Sequence, residues 1–137
     1  SEIDKDAGRV AEELLKKNTP EVLIWALGMN NGDDETAVNN VWKTDYDKMR
    51  LYCDAYNIEL VLCTIPNVPT VNNSFKNEII RNSGYRYIDF AKAVGAEDVG
   101  SNWYAGMLSA DGVHPTVLGA QKLALRAMQD VPELAEN

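Results

Sequence analysis

Histidine occurs once in this chain of 137 residues, cysteine twice, and no apolar run approaches the roughly 20 residues that a membrane-spanning helix requires. The first residues are polar and charged, unlike the apolar stretch of a signal peptide. Basic residues are also scarce, 13 against 21 acidic ones. The net charge of -8 opposes nucleic acid and anionic membrane as partners by Coulomb repulsion. Neither G-x-G-x-x-G nor G-x-x-x-x-G-K-[ST] occurs, so a nucleotide-binding reading has no phosphate loop to rest on. Asp33-Asp34-Glu35 does not have the spacing of a calcium loop, and acids are favoured at a helix N-terminus anyway. Two cysteines make neither a disulfide framework nor a metal site. Cys53 and Cys63 each lie among apolar neighbours, where a buried free thiol is expected.

What the chain does have is the size of one compact domain, 1–137, with 45% hydrophobic residues to fill a core. Ile3, Ala7, Val10, Ala11, Leu14 and Leu15 recur at helical spacing, so an amphipathic helix is predicted ahead of Pro20. Residues 22–27 (VLIWAL) are an unbroken apolar run too short for a helix. They predict a strand covered on both faces and stopped by Gly28. A helix follows, capped by Asp33 or Asp34 and carrying Val38, Val41, Trp42, Met49, Cys53 and Tyr56 at helical intervals.

Residues 58–65 predict a second buried strand, closed by the Pro- and Asn-rich loop 66–73. Phe75, Ile79 and Ile80 mark a short helix ended by Gly84, and 86–90 a third strand. The segment 91–110 loses periodicity and has the length of a functional connection. Its Trp103 and Tyr104 can line a pocket, with Trp103 equally able to pack beneath the loop. A last helix is predicted over 116–129, with Val117, Ala120, Leu123, Ala124, Ala127 and Met128 on its apolar side and Pro132 ending the ordered part. With no repeat or linker, this succession of βαβ units predicts an α/β fold with a parallel sheet.

The chemistry centres on Asp111-Gly112-Val113-His114-Pro115-Thr116. A carboxylate three residues before an imidazole can accept its Nδ1 proton on one turn, leaving Nε2 as a general base. Pro115 holds His114 out of helical backbone, and Thr116 can cap the helix that follows. A second stretch, Gly28-Met29-Asn30-Asn31, leaves the end of the first strand. In a parallel sheet the loops beyond the strands' carboxyl ends converge on the ligand crevice, so both stretches would share one rim. There an asparagine can donate to an oxyanion, although on its own it is more often a turn residue.

These two stretches, in this order and before a glycine-bearing last helix, resemble the third and fifth conserved blocks of the SGNH hydrolases, the GDSL lipase/esterase family. The whole chain can be laid on that family's C-terminal portion. The resemblance implies a flavodoxin-like three-layer α/β/α sandwich, about three strands of which would come from this chain. It implies hydrolysis of a small-molecule ester through an acyl-serine intermediate, with no metal and no organic cofactor. His114 would be the general base, Asp111 its orienting partner, Asn30 an oxyanion donor and Gly28 the turn residue. Asn31 stands where the family usually has Asp.

The family's Gly-Asp-Ser nucleophile segment is missing. The serines are Ser1, Ser74, Ser83, Ser101 and Ser109; none follows an Asp or leaves an apolar strand, and Ser109 is expected in a turn. A three-stranded sheet would also leave 22–27 as an apolar edge with no charge or proline guarding it. Something is expected to pair with it: either an upstream segment of on the order of 60 residues, from two units of 30 or more residues per βαβ, or a second chain. In the first case the chain is a C-terminal fragment of an ester hydrolase that lacks its nucleophile. The alternative is a non-catalytic, degenerate hydrolase that binds a ligand or completes its sheet with another chain.

Overall fold

The computed structural model describes residues 22–26, 36, 40, 42–97 and 103–135. Over these it is a parallel α/β arrangement: β1 (Val22–Trp25), α1 (Lys43–Ala55), β2 (Glu59–Cys63), α2 (Ser74–Arg81), β3 (Arg86–Ile88), the short α3 (Phe90–Ala93) and α4 (Val117–Asp130). The strands pair in the order β1-β2-β3, with Leu23 opposite Leu60, Trp25 opposite Leu62 and Tyr87 opposite Leu62. The predicted first helix and the cap at Asp33 or Asp34 lie outside the described residues.

Because successive strand side chains alternate between faces, the register defines two cores. Leu60 and Leu62 face Tyr46, Met49 and Cys53 of α1 and Ile80 of α2, together with Trp25 and Trp42. Val61, Cys63 and Ile88 point the other way, where Phe90, Ala127 and Val131 cover them. The sheet is therefore sandwiched between helices. Both thiols are buried as expected, and burial pushes Cys63 up to about 12.

Three aromatic rings fix the end of β1 against α1. Trp42 stacks on Trp25 at a centroid distance of 5.5 Å and on Tyr46 at 5.3 Å, the second pair only 9° from parallel. Helix α1 then stops through two backbone bonds. Ile58 N–H reaches the Cys53 carbonyl at 2.8 Å and Asn57 N–H the Asp54 carbonyl at 3.4 Å. This is the reverse turn that a residue in left-handed backbone permits, here Asn57 at φ 55°. It feeds the chain directly into β2.

Five details depart from the sequence expectations. β1 is an edge strand among the described residues, but it is covered on one face only: Val22 and Ile24 are 44% and 38% exposed. The reason is that α4 lies over β2 and β3, and its apolar contacts stop at Val61, Cys63 and Ile88. For the same reason the periodicity of α4 overstates its burial. Val117, Ala120, Ala124 and Met128 are exposed and Leu123 and Ala127 half-buried. Helix α2 ends at Arg81 with Asn82 as its cap, short of Gly84, and the third strand stops at Ile88, with Phe90 already in α3. Order also continues past Pro132: residues Pro132–Ala135 form a further helical turn, where Glu133 accepts from Arg86 at 2.8 Å.

Trp42→Ala should lower unfolding stability by about 3–5 kcal/mol, the range for truncating a buried aromatic, since Trp42 is 1% exposed and loses two stacking partners. A denaturant titration checks this; a loss under about 0.5 kcal/mol, the size of a typical surface substitution, would show that the aromatic stack does not hold α1 to β1.

Candidate functional site

The segment from Gly106 to Gly119 holds the site by its own backbone. Thr116 N–H bonds the Met107 carbonyl and Ser109 N–H the His114 carbonyl, each at 2.9 Å, closing a narrow loop. At its tip Gly112 N–H bonds the Ser109 carbonyl at 3.0 Å. Gly112 has φ 73°, a conformation a β-carbon disfavours. Ser109 is thus a turn residue, as expected.

Asp111 collects donors from the whole turn. Its Oδ1 accepts from Ser109 Oγ at 2.7 Å, Val113 N at 2.8 Å and His114 N at 2.9 Å, while Oδ2 lies 2.6 Å from His114 Nδ1. The backbone bond from His114, the Ser109 hydroxyl, the His114 ring and the Val113 N–H together hold this carboxyl well below the usual carboxylate range. An ionised Asp111 fixes the ring with its proton on Nδ1. Among the described residues Nε2 has no partner, on a side chain 77% exposed. The Asp-x-x-His pair legible in the sequence is therefore a formed, hydrogen-bonded dyad.

The dyad's height is set by the start of α4. Thr116, in extended backbone, caps this helix: its Oγ1 accepts from Gly119 N at 3.1 Å and donates to the Gly106 carbonyl at 2.5 Å. Gly119 is buried, and a β-carbon there would fall 2.1 Å from the Met107 carbonyl oxygen. The helix can approach the loop this closely only without that carbon.

The neighbouring rim is built from amides. Asn77 accepts from Ile65 N at 2.7 Å and donates to the Ile65 carbonyl at 2.8 Å, and Asn67 donates to Ser74 Oγ at 3.2 Å. The indole of Trp103 donates to the Asn67 carbonyl at 2.7 Å, half-buried, which ties the connection carrying the dyad to the loop after β2. Tyr104 is exposed and rests its ring on Gly95. The polar lining of loop 66–73 thus serves the loop's own shape.

Gly28 and Asn30 lie outside the described residues. So do Ser1 and Ser101; each remaining serine is held in a local bond, Ser74 by Asn67, Ser83 to the Ile80 carbonyl at 2.7 Å and Ser109 by Asp111. The contribution of Ser109 to the dyad was not foreseen, although a hydroxyl two residues before an aspartate in a turn is the signal that could have revealed it. Among the described residues no group of three or more His, Cys, Asp or Glu could hold a metal ion, and no helix is long and apolar enough to cross a membrane.

No family model and no curated protein matches this chain. A solved structure, the crystal structure of TesA, is similar to it with a TM-score of 0.66, at 17% sequence identity, over 96% of this chain and 73% of TesA. The likeness is one of fold: a mixed α/β architecture with a parallel sheet, consistent with a flavodoxin-like sandwich.

Two measurements bear on this geometry. Gly→Ala in an exposed helix usually adds about 1 kcal/mol of stability; Gly119→Ala should instead lower the melting temperature and shift the His114 ring resonances. A stabilised variant with unchanged resonances would show that the helix does not press on Met107. For Asp111, a folded-state value below the ordinary 3.8 means a stabilising contribution fully present above pH about 4 and lost as pH falls through the depressed value. Carboxyl carbon NMR should find Asp111 still ionised where the exposed aspartates have protonated.

Proposed function

We propose that this chain carries the acid-base half of a serine ester hydrolase. The observation that carries the reading is the 2.6 Å contact between Asp111 Oδ2 and His114 Nδ1, with Nε2 unengaged among the described residues. The TesA likeness supports it at the level of a hydrolase-like fold, and the resemblance of the two sequence blocks supplies the roles. Asn30 donates to the oxyanion, and Gly28 gives the turn that presents it.

In this mechanism Nε2 removes the proton of a serine hydroxyl as its oxygen attacks the ester carbonyl carbon. The imidazolium, stabilised by Asp111, returns that proton to the departing alcohol oxygen as the ester C–O bond breaks. Water then repeats the sequence on the acyl-serine, releasing the acid and restoring the free serine. The substrate is a small-molecule ester.

The serine comes from a segment that adds a strand to β1. Two observations favour this: among the described residues β1 pairs with β2 alone, and its Val22 and Ile24 are exposed without a guarding charge. The same open edge favours the second reading, a non-catalytic protein whose sheet is completed by another chain. The coding sequence decides between them, since the hydrolase requires Gly-Asp-Ser after an apolar strand upstream of residue 1.

In the full-length protein His114→Ala should reduce hydrolysis of an aryl acetate by at least about 10²- to 10⁴-fold, the usual contribution of a positioned base. Asp111→Asn should also lower kcat strongly, because an amide no longer selects the Nδ1–H tautomer. Undiminished turnover by the His114 variant would end the assignment.

A further inference from the structure

Away from the dyad, the groove between α3 and α4 collects positive charge in a chain that is otherwise acidic. It is a cleft of about 270 Å³. Lys92 enters it from α3, and Lys122 and Arg126 from α4, one helical turn apart on the same face. Leu125 and the ring of Tyr104 supply an apolar surface, and Gln129 a further polar group. With 1.5 Å of rise per residue, Lys122 and Gln129 sit roughly 7 and 18 Å along the axis beyond Val117. The groove therefore lies along the body of the helix, away from the end that follows His114.

The charges there are poorly matched by the protein itself. Arg126 Nε is engaged with Asp130 Oδ2 at 2.8 Å, and that same oxygen accepts from Asp89 N. Asp89 is in turn occupied by Arg81 and Thr64. Lys92 and Lys122 have no ion pair among the described residues. Lys92, Lys122 and Arg126 line the concavity and, among the described residues, no carboxylate does, an arrangement that repels itself and favours an incoming anion. Two elements of different sequence position converge on it, so the clustering is not a consequence of one helix's spacing.

We propose that this cleft binds a small organic dianion, a phosphate monoester whose apolar part rests on Leu125 and Tyr104. The two lysines without an ion pair among the described residues match the two charges of the dianion. The lysines act as point charges and the free end of the Arg126 guanidinium as a planar donor. The exposed side chains of Leu125 and Tyr104 account for a preference for an ester over the free ion. This assignment is independent of the ester-hydrolase reading, since it uses neither Asp111 nor His114.

Isothermal titration of the full-length protein with phenyl phosphate at low salt tests it, alongside inorganic phosphate and phenol. Saturable binding is expected, tighter than for inorganic phosphate and absent for phenol. The double variant Lys92→Gln/Lys122→Gln, which alters two exposed side chains, should weaken it about tenfold or more while leaving the melting temperature unchanged. Absence of saturable binding by phenyl phosphate, or an equal affinity in the double variant, would overturn the site; equal affinity for inorganic phosphate would overturn the apolar half. Turnover of an aryl acetate reports separately on the dyad.

Discussion

The structure depends on how the buried carboxylate of Asp89 is satisfied. Burial by itself would push this group upward, but the bonds from Arg81 and Thr64 outweigh that effect and hold it below the usual carboxylate range. Five elements meet there. Thr64 closes β2, Arg81 ends α2, and Asp89 itself ends β3 and caps α3 by accepting from Lys92 N. Through its own N–H it grips Asp130 at the end of α4. Removing one partner would leave a charge or a donor buried without compensation, which is costly in a way that a lost surface ion pair is not.

This junction and the dyad lie at opposite ends of α4. Its C-terminal end is held by Asp130 and by Val131 in the core; its N-terminal end is held by Thr116 and by the close approach of Gly119 to Met107. Between them the helix makes few buried contacts, so its placement rests on the two ends. The exposed cationic groove is compatible with this, because side chains in the middle of α4 are not needed for packing.

Much of the architecture was legible because hydrophobic runs and turn chemistry are local signals. The unbroken apolar stretch at 22–27 and the largely apolar one at 58–65 contain β1 and β2, and Thr116 before an alanine-rich run gave the start of α4. What the sequence concealed is which apolar residues find a cover. Val117 has the periodicity of a buried residue and is 77% exposed, since periodicity reports a face but not whether anything lies against it. Polar groups hid the opposite way. Lys76, Asn77 and Asp89 are buried, yet each looks like a surface residue until its partners across 3 to 25 positions are known. The dyad was readable for the reason that Asn77 and Asp89 were not: both of its members lie within one turn, whereas their partners lie 12 and 25 positions away.

That shortness has a consequence for how such a site could change over time. Every bond that orients His114 toward Asp111 is made inside the ten residues from Met107 to Thr116. The unit behaves as a cartridge, inserted between a connection and a helix. Its internal geometry is insensitive to shifts of the sheet, to insertions in the loop before it, or to exchange of whatever covers β1. Duplication, permutation or grafting could therefore carry the pair intact into a new setting, where only its distance to the attacking group would have to be found again.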